Sequence, residues 1–167
     1  KGVFLLAVIK LLQGCLIANM DIGRCVSTAD ISRQLPFCAE SLPATICVPI
    51  DRVPSKPTQE VWPAYNITYR DQQVEGIFVE NIEAQLILEY TKRKHHLRSS
   101  PTLYLSNNRH CFDAYRTFLC RQNFPECDTT NSSLPLCESY CNNYYTTCGQ
   151  ANTECQLIYR KIVHVHC

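Results

Sequence analysis

Six cysteines lie between Cys111 and Cys148, separated by eight, six, nine, three and six residues, in CFDAYRTFLCRQNFPECDTTNSSLPLCESYCNNYYTTC. They constrain the chain more than any apolar pattern does, because a cross-link fixes which segments touch. The full sequence has 12 cysteines in 167 residues, a density typical of small oxidised folds and seldom met in the reducing cytosol. No C-x-x-C pair occurs, which argues against a structural zinc site. The expected location is therefore secreted or the extracellular face of a membrane. The length suits one domain with an arm, and a formal net charge of +1 points to no nucleic acid partner.

Residues 1–18, KGVFLLAVIKLLQGCLIA, have a basic start, an apolar run and small residues before a cut after Ala18, the three parts of a signal peptide. A retained amphipathic helix is the alternative. Cleavage would remove Cys15 and leave an odd number of cysteines, with Cys25 as the one left unpaired or joined to another chain. If the leader stays, Cys15 is its partner. Residues 19–37 read as an arm before a domain spanning 38–167.

Pro43 and Pro49 argue for short strands, not a helix, around Cys38 and Cys47. Four prolines between Val48 and Pro63 mark a surface loop ahead of the glycosylation triplet at Asn66, and a second triplet begins at Asn131. From Gln73 to Lys94 a helix is predicted. Val74, Phe78, Ile82, Leu86 and Tyr90 recur every fourth residue and ask for a partner surface in the helices expected around Cys111–Cys120 and Cys137–Cys148.

Lys92, Arg93, Lys94, His95, His96, Arg98 and Arg109 form the strongest charge cluster, readable as a solvated helix end or as a contact for a sulfated polysaccharide or acidic protein. Phe112 to Leu119 can form two helical turns. Cys137, Cys141 and Cys148, at offsets of four and seven, share one side of a further helix. In the tail, His164 and His166 share a strand face, where exposed strand residues are favoured over metal ligands.

The words FLC at 118–120, FPEC at 124–127 and PLC at 135–137, with the five intervals from Cys111 onward, resemble the cysteine-rich domain of the frizzled family. Cys38, Cys47, Cys155 and Cys167 complete its ten cysteines. The resemblance implies a mainly α, disulfide-rich domain with short N-terminal strands. It also implies the bridges Cys38–Cys127, Cys47–Cys120, Cys111–Cys148, Cys137–Cys167 and Cys141–Cys155, with Cys25 left over.

The gap from Cys47 to Cys111 is longer than in typical frizzled receptors, and that from Cys148 to Cys155 is much shorter. In those receptors the latter gap helps form the groove for the acyl chain of a Wnt ligand. Leu103, Tyr104 and Leu105 correspond in position to the groove's other side, as an apolar lip or as core cover. The resemblance implies a non-catalytic extracellular module that recognises a lipidated protein, a lipid or sterol, or a protein partner. The alternative is an accessory subunit of a larger extracellular or membrane-channel assembly. No serine sits in a nucleophile elbow and no paired carboxylates line a helix face, so neither an enzyme nor a cofactor is expected.

Overall fold

A computed structural model describes residues 15, 23–49, 66–95, 108–149 and 155. Its order is strand β1 (Gly23–Ser27), helix α1 (Thr28–Ile31), strand β2 (Thr45–Pro49), and helices α2 (Ile67–Lys94), α3 (Arg109–Asn123) and α4 (Glu138–Thr147). The protein is mainly helical, with one short sheet and a dense set of bridges.

β1 and β2 pair antiparallel, in register from Gly23↔Pro49 to Ser27↔Thr45. The far edge of β2 is covered by the chain leaving α3, through the bridge Ile46↔Glu126 and the bond from the Cys47 N–H to the Pro125 carbonyl at 2.8 Å. The central strand of this small layer therefore has no open edge along that stretch. Gly23 is required here. A Cβ on it would lie 2.5 Å from the Val48 carbonyl oxygen and 2.6 Å from Cys47 Sγ.

Residues 23–37 are consequently part of the fold and not an arm. β1 is a sheet strand, and Ile31 and Leu35 belong to the main core. Around Cys38 the chain makes a turn and a 3₁₀ segment, Ala39–Ser41, where a strand was expected; of Cys38 and Cys47, the latter lies in a strand.

α2 begins six residues before the expected start because Asn66 caps it, its Oδ1 accepting the Tyr69 N–H at 3.0 Å. Its core face carries Ile67, Asp71, Val74 and Phe78, with Ile82 and Gln85 half-buried. The predicted stripe holds at Val74, Phe78 and Ile82 but fails beyond, where Leu86 is 46% and Tyr90 69% exposed. The cause is geometric. A four-residue step turns a helix about 40° past its starting face, so the row winds off the core within a few steps.

Asn108 caps α3, its Oδ1 accepting the N–H groups of His110 at 3.1 Å and Cys111 at 3.3 Å. α3 buries Cys111, Ala114, Tyr115, Phe118, Leu119 and Cys120, and extends beyond the two turns expected. α4 carries Cys141 in its middle, with Cys137 and Cys148 at its two caps, and ends at Gly149, whose φ of 67° suits a residue without Cβ.

The three helices meet through aromatic rings. Phe78 of α2 lies 4.5 Å from Phe112 and 5.5 Å from Tyr115, centroid to centroid, and 5.2 Å from Phe37. Tyr115 in turn stacks on Tyr144 of α4 at 4.9 Å, and Tyr144 on Phe118 at 5.3 Å. Such pairs contribute about 0.5–1.5 kcal/mol each beyond area burial. Arg121 ties the base together, donating to the Ser41 carbonyl at 3.0 Å while its guanidinium lies 4.0 Å over the Tyr140 ring.

The bridges are Cys15–Cys47, Cys25–Cys127, Cys38–Cys120, Cys111–Cys148 and Cys141–Cys155. Three sequence expectations are corrected. Cys38 pairs with Cys120 and not Cys127, Cys47 pairs with Cys15 and not Cys120, and Cys25 is bonded to Cys127 where an unpaired thiol was expected. The reason lies in the sheet: β1 brings Cys25 opposite Cys47 and toward Cys127, while Asp71 anchors the Cys38 turn beside α3. Cys111–Cys148 and Cys141–Cys155 are the pairs that the resemblance implies. Cys137 is also disulfide-bonded, and its expected partner Cys167 lies outside the described residues. The expected leader lies outside them too, except for Cys15, whose bridge to Cys47 a cut after Ala18 would remove.

Candidate functional site

Among the residues singled out from sequence, Leu103, Tyr104, Leu105, Arg98, His96, His164 and His166 lie outside the described residues. Lys94 and His95 are exposed at the end of α2, while Arg109, at the start of α3, approaches Asp113 at 3.9 Å with both side chains in solvent. Lys92 and Arg93 fall on α2, with no side-chain placement described. α2 therefore carries Lys92, Arg93 and Lys94 consecutively on its last turn, while Arg109 belongs to the start of α3. Asn66 and Asn131 are both exposed. Asn66 uses Oδ1 for its cap, which leaves the amide nitrogen, the atom a glycan takes, free of that bond.

One surface feature among the described residues is the distal half of α2. Leu86, Ile87 at 66%, Leu88 at 53% and Tyr90 are exposed, with Ile77 and Val79 further back along the helix. Scattered exposed apolar residues are ordinary, but Leu86, Ile87 and Tyr90 lie within about 100° of one another around the helix axis and form a patch of the kind that marks contact surfaces, with Leu88 on the other side. No described element packs against them. The sequence signal was present in QLILEY, although period counting assigned part of it to the core.

A second feature is an open groove of about 530 Å³ between α3 and α4. Asn108, His110, Asp113 and Thr117 line one side, and Asn143 and Thr147 the other. Asn108 also joins the helices, donating to the Thr147 carbonyl at 3.4 Å. The lining side chains are mostly hydrogen-bonding groups in an open groove, so it suits a polar ligand group better than an acyl chain that needs an enclosed apolar tunnel. Sequence reasoning missed it, although His110, Asp113 and Thr117 recur at helical spacing opposite the buried side of α3.

Electrostatics single out structural groups. Burial pushes the Asp71 carboxyl up, against the pull of the N–H groups of Phe37 and Cys38, and nearby Glu75 adds to the rise. Burial, with Tyr144 beside it, pushes Tyr115 up to about 12. Asp128 is lowered by the Thr130 hydroxyl first and then by the Ser132 and Thr130 N–H groups, which make a tight polar turn. Asp71 and Tyr115 face the core, and none of the three lines the groove.

Sulfurs of Cys15, Cys25 and Cys127 lie within 4.8 Å of one another, a separation that three metal ligands also adopt. All three are engaged in bridges, and among the described residues no cysteine is free, so no thiolate is available to a metal.

No family model, curated protein or solved structure matches the chain. The class defined by the fold is a mainly helical, disulfide-rich domain. Its bridges fit maturation in an oxidising compartment, and among the described residues no helix is long and apolar enough to cross a membrane.

Proposed function

We propose that the chain is a non-catalytic extracellular binding module of frizzled-like type that recognises a protein partner through the distal half of α2. The observation that carries this reading is the exposed group Leu86, Ile87, Leu88 and Tyr90 on a helix whose proximal half is clamped in a cross-linked core. A rigid frame lowers the ordering cost of binding, and an apolar helix face fits a partner groove or helix.

The frizzled-like assignment draws support from bridge order. With Cys25 and Cys38 taken as the first two of the ten cysteines, the observed pairs join first to fifth, second to fourth, third to eighth and seventh to ninth. This is the order that the resemblance implies, shifted by one cysteine at its start. Cys15–Cys47 is then an addition to the pattern. An accessory role resting on an interchain bridge through Cys25 loses that basis, since Cys25 is bonded to Cys127.

Cross-linking of the native protein at its cell surface tests the reading. Cross-linked peptides from a protein partner should map to 86–95. Cross-links confined to the α3–α4 groove, or a lipid recovered from the purified monomer by mass spectrometry, would overturn it.

A further inference from the structure

Four cysteines stand apart from the main core. Cys15, Cys47 and Cys127 form a separate buried cluster with Cys25 packed against it, whereas Cys38, Cys111, Cys120, Cys141, Cys148 and Cys155 belong to the main one. Two bridges thus share one small site, and three of its four sulfurs lie within 4.8 Å of one another.

The sheet prepares an alternative pairing. Cys25 and Cys47 are direct partners across β1 and β2. The Cys47 N–H points away from β1, to the Pro125 carbonyl, so the two residues occupy a site without mutual hydrogen bonds. At such sites the Cα atoms are about 4.5 Å apart and the side chains are close, within the range of about 4.4–6.8 Å that a disulfide spans. Cys15 and Cys127 are the remaining pair, already within 4.8 Å at their sulfurs.

We propose that Cys15, Cys25, Cys47 and Cys127 form one disulfide-exchange site, in which a small-molecule thiol converts Cys15–Cys47 and Cys25–Cys127 into Cys15–Cys127 and Cys25–Cys47. Cys25 is the entry point, being half-buried where the other three are buried. The thiolate of the small molecule attacks Cys25 Sγ, forming a mixed disulfide and releasing the Cys127 thiolate. That thiolate attacks Cys15 Sγ, forming Cys15–Cys127 and releasing the Cys47 thiolate. Cys47 then attacks Cys25 Sγ, closing Cys25–Cys47 and expelling the original thiolate. Two bonds break, two form, and the small thiol is regenerated without net oxidation.

The exchange moves the tether of the Cys15 segment from β2 to the chain beyond α3 and locks β1 to β2. It leaves the bridges of the main core untouched. It also gives the site a defined response to loss of Cys15: three sulfurs then compete for one bond, and the free thiol alternates between Cys47 and Cys127.

The test uses the full chain in a reduced and oxidised glutathione buffer, quenched with acid and mapped by mass spectrometry. Cuts after Arg24, Arg33 and Glu40 separate Cys15, Cys25, Cys38 and Cys47. Linked peptides containing Cys25–Cys47 and Cys15–Cys127 should be gained as those with the original pairs are lost, with Cys38–Cys120 and Cys111–Cys148 unchanged. In Cys15→Ser, a maleimide label should divide between Cys47 and Cys127. Recovery of the original pairs alone after glutathione, or a label on Cys47 alone, overturns the proposal.

Discussion

The Asp71 carboxylate accepts the backbone N–H of Cys38 at 3.0 Å, with no exposed surface on Asp71 and its second oxygen on the Phe37 N–H at 2.9 Å. One side chain of α2 thereby fixes the turn from which Cys38 reaches Cys120. Asp71→Ala leaves two donors unsatisfied, and a loss of about 2–4 kcal/mol is expected in urea unfolding.

The same group sets a pH dependence. Its folded pKa is raised above 3.8 by burial, so between these values the folded state binds more protons than the unfolded chain. The Asp71 contribution is fully present below 3.8 and is lost as pH rises through the folded value. Stability curves across the acidic range, compared with Asp71→Asn, should show this decline in the wild type and lose it in the variant.

Tyr115 predicts alkaline behaviour. Its phenol, pushed up to about 12 from 10.0 by burial and Tyr144, contributes stability that is present below pH 10 and lost as pH rises toward 12. Ultraviolet titration should show a late-ionising tyrosine that Tyr115→Phe removes.

Phe78 joins α2 to Phe37, Phe112 and Tyr115. Phe78→Ala is expected to cost about 3–5 kcal/mol by denaturant unfolding. Phe78→Leu should recover part of that loss because it refills much of the volume.

Gly23→Ala places a methyl group against a backbone carbonyl and Cys47 Sγ. A loss of about 1–3 kcal/mol is expected, the range for overpacking. Thiol titration of the purified variant should also find incomplete closure of Cys15–Cys47.

On the distal part of α2, Ile87→Lys and Tyr90→Lys should leave thermal stability within about 0.5 kcal/mol of wild type, since neither side chain is in the core. The same variants should lose the protein cross-links from α2. A stability loss as large as that of Phe78→Ala would place these residues in the fold and not at an interface.

Much of the architecture is legible in local sequence. Val74 and Phe78 sit at helical spacing, and Phe112, Tyr115, Phe118 and Leu119 gather on one side of a short helix, whereas the helix starts at Asn66 and Asn108 emerge only from their cap bonds. These are short-range properties, decided within a turn or two of chain. The twelve cysteines likewise announce an oxidised, cross-linked domain without any coordinates.

Pairing is a different kind of property. Loop-closure entropy changes slowly with loop length, so chain separation barely distinguishes Cys38–Cys127 from Cys38–Cys120. Only the pairing of β1 with β2, which sets Cys25 opposite Cys47, and the bond from Asp71 to the Cys38 turn decide it. Burial along α2 is also tertiary. Phe78 and Tyr90 both lie in the predicted stripe, yet the first is packed among rings and the second is in solvent, because the core meets the helix only over its proximal half. The amino-acid sequence determined the long helical segments and the cross-linking chemistry, and the tertiary structure decided which sulfurs met and which apolar residues stayed exposed, because pairing and burial depend on contacts between segments far apart in the chain.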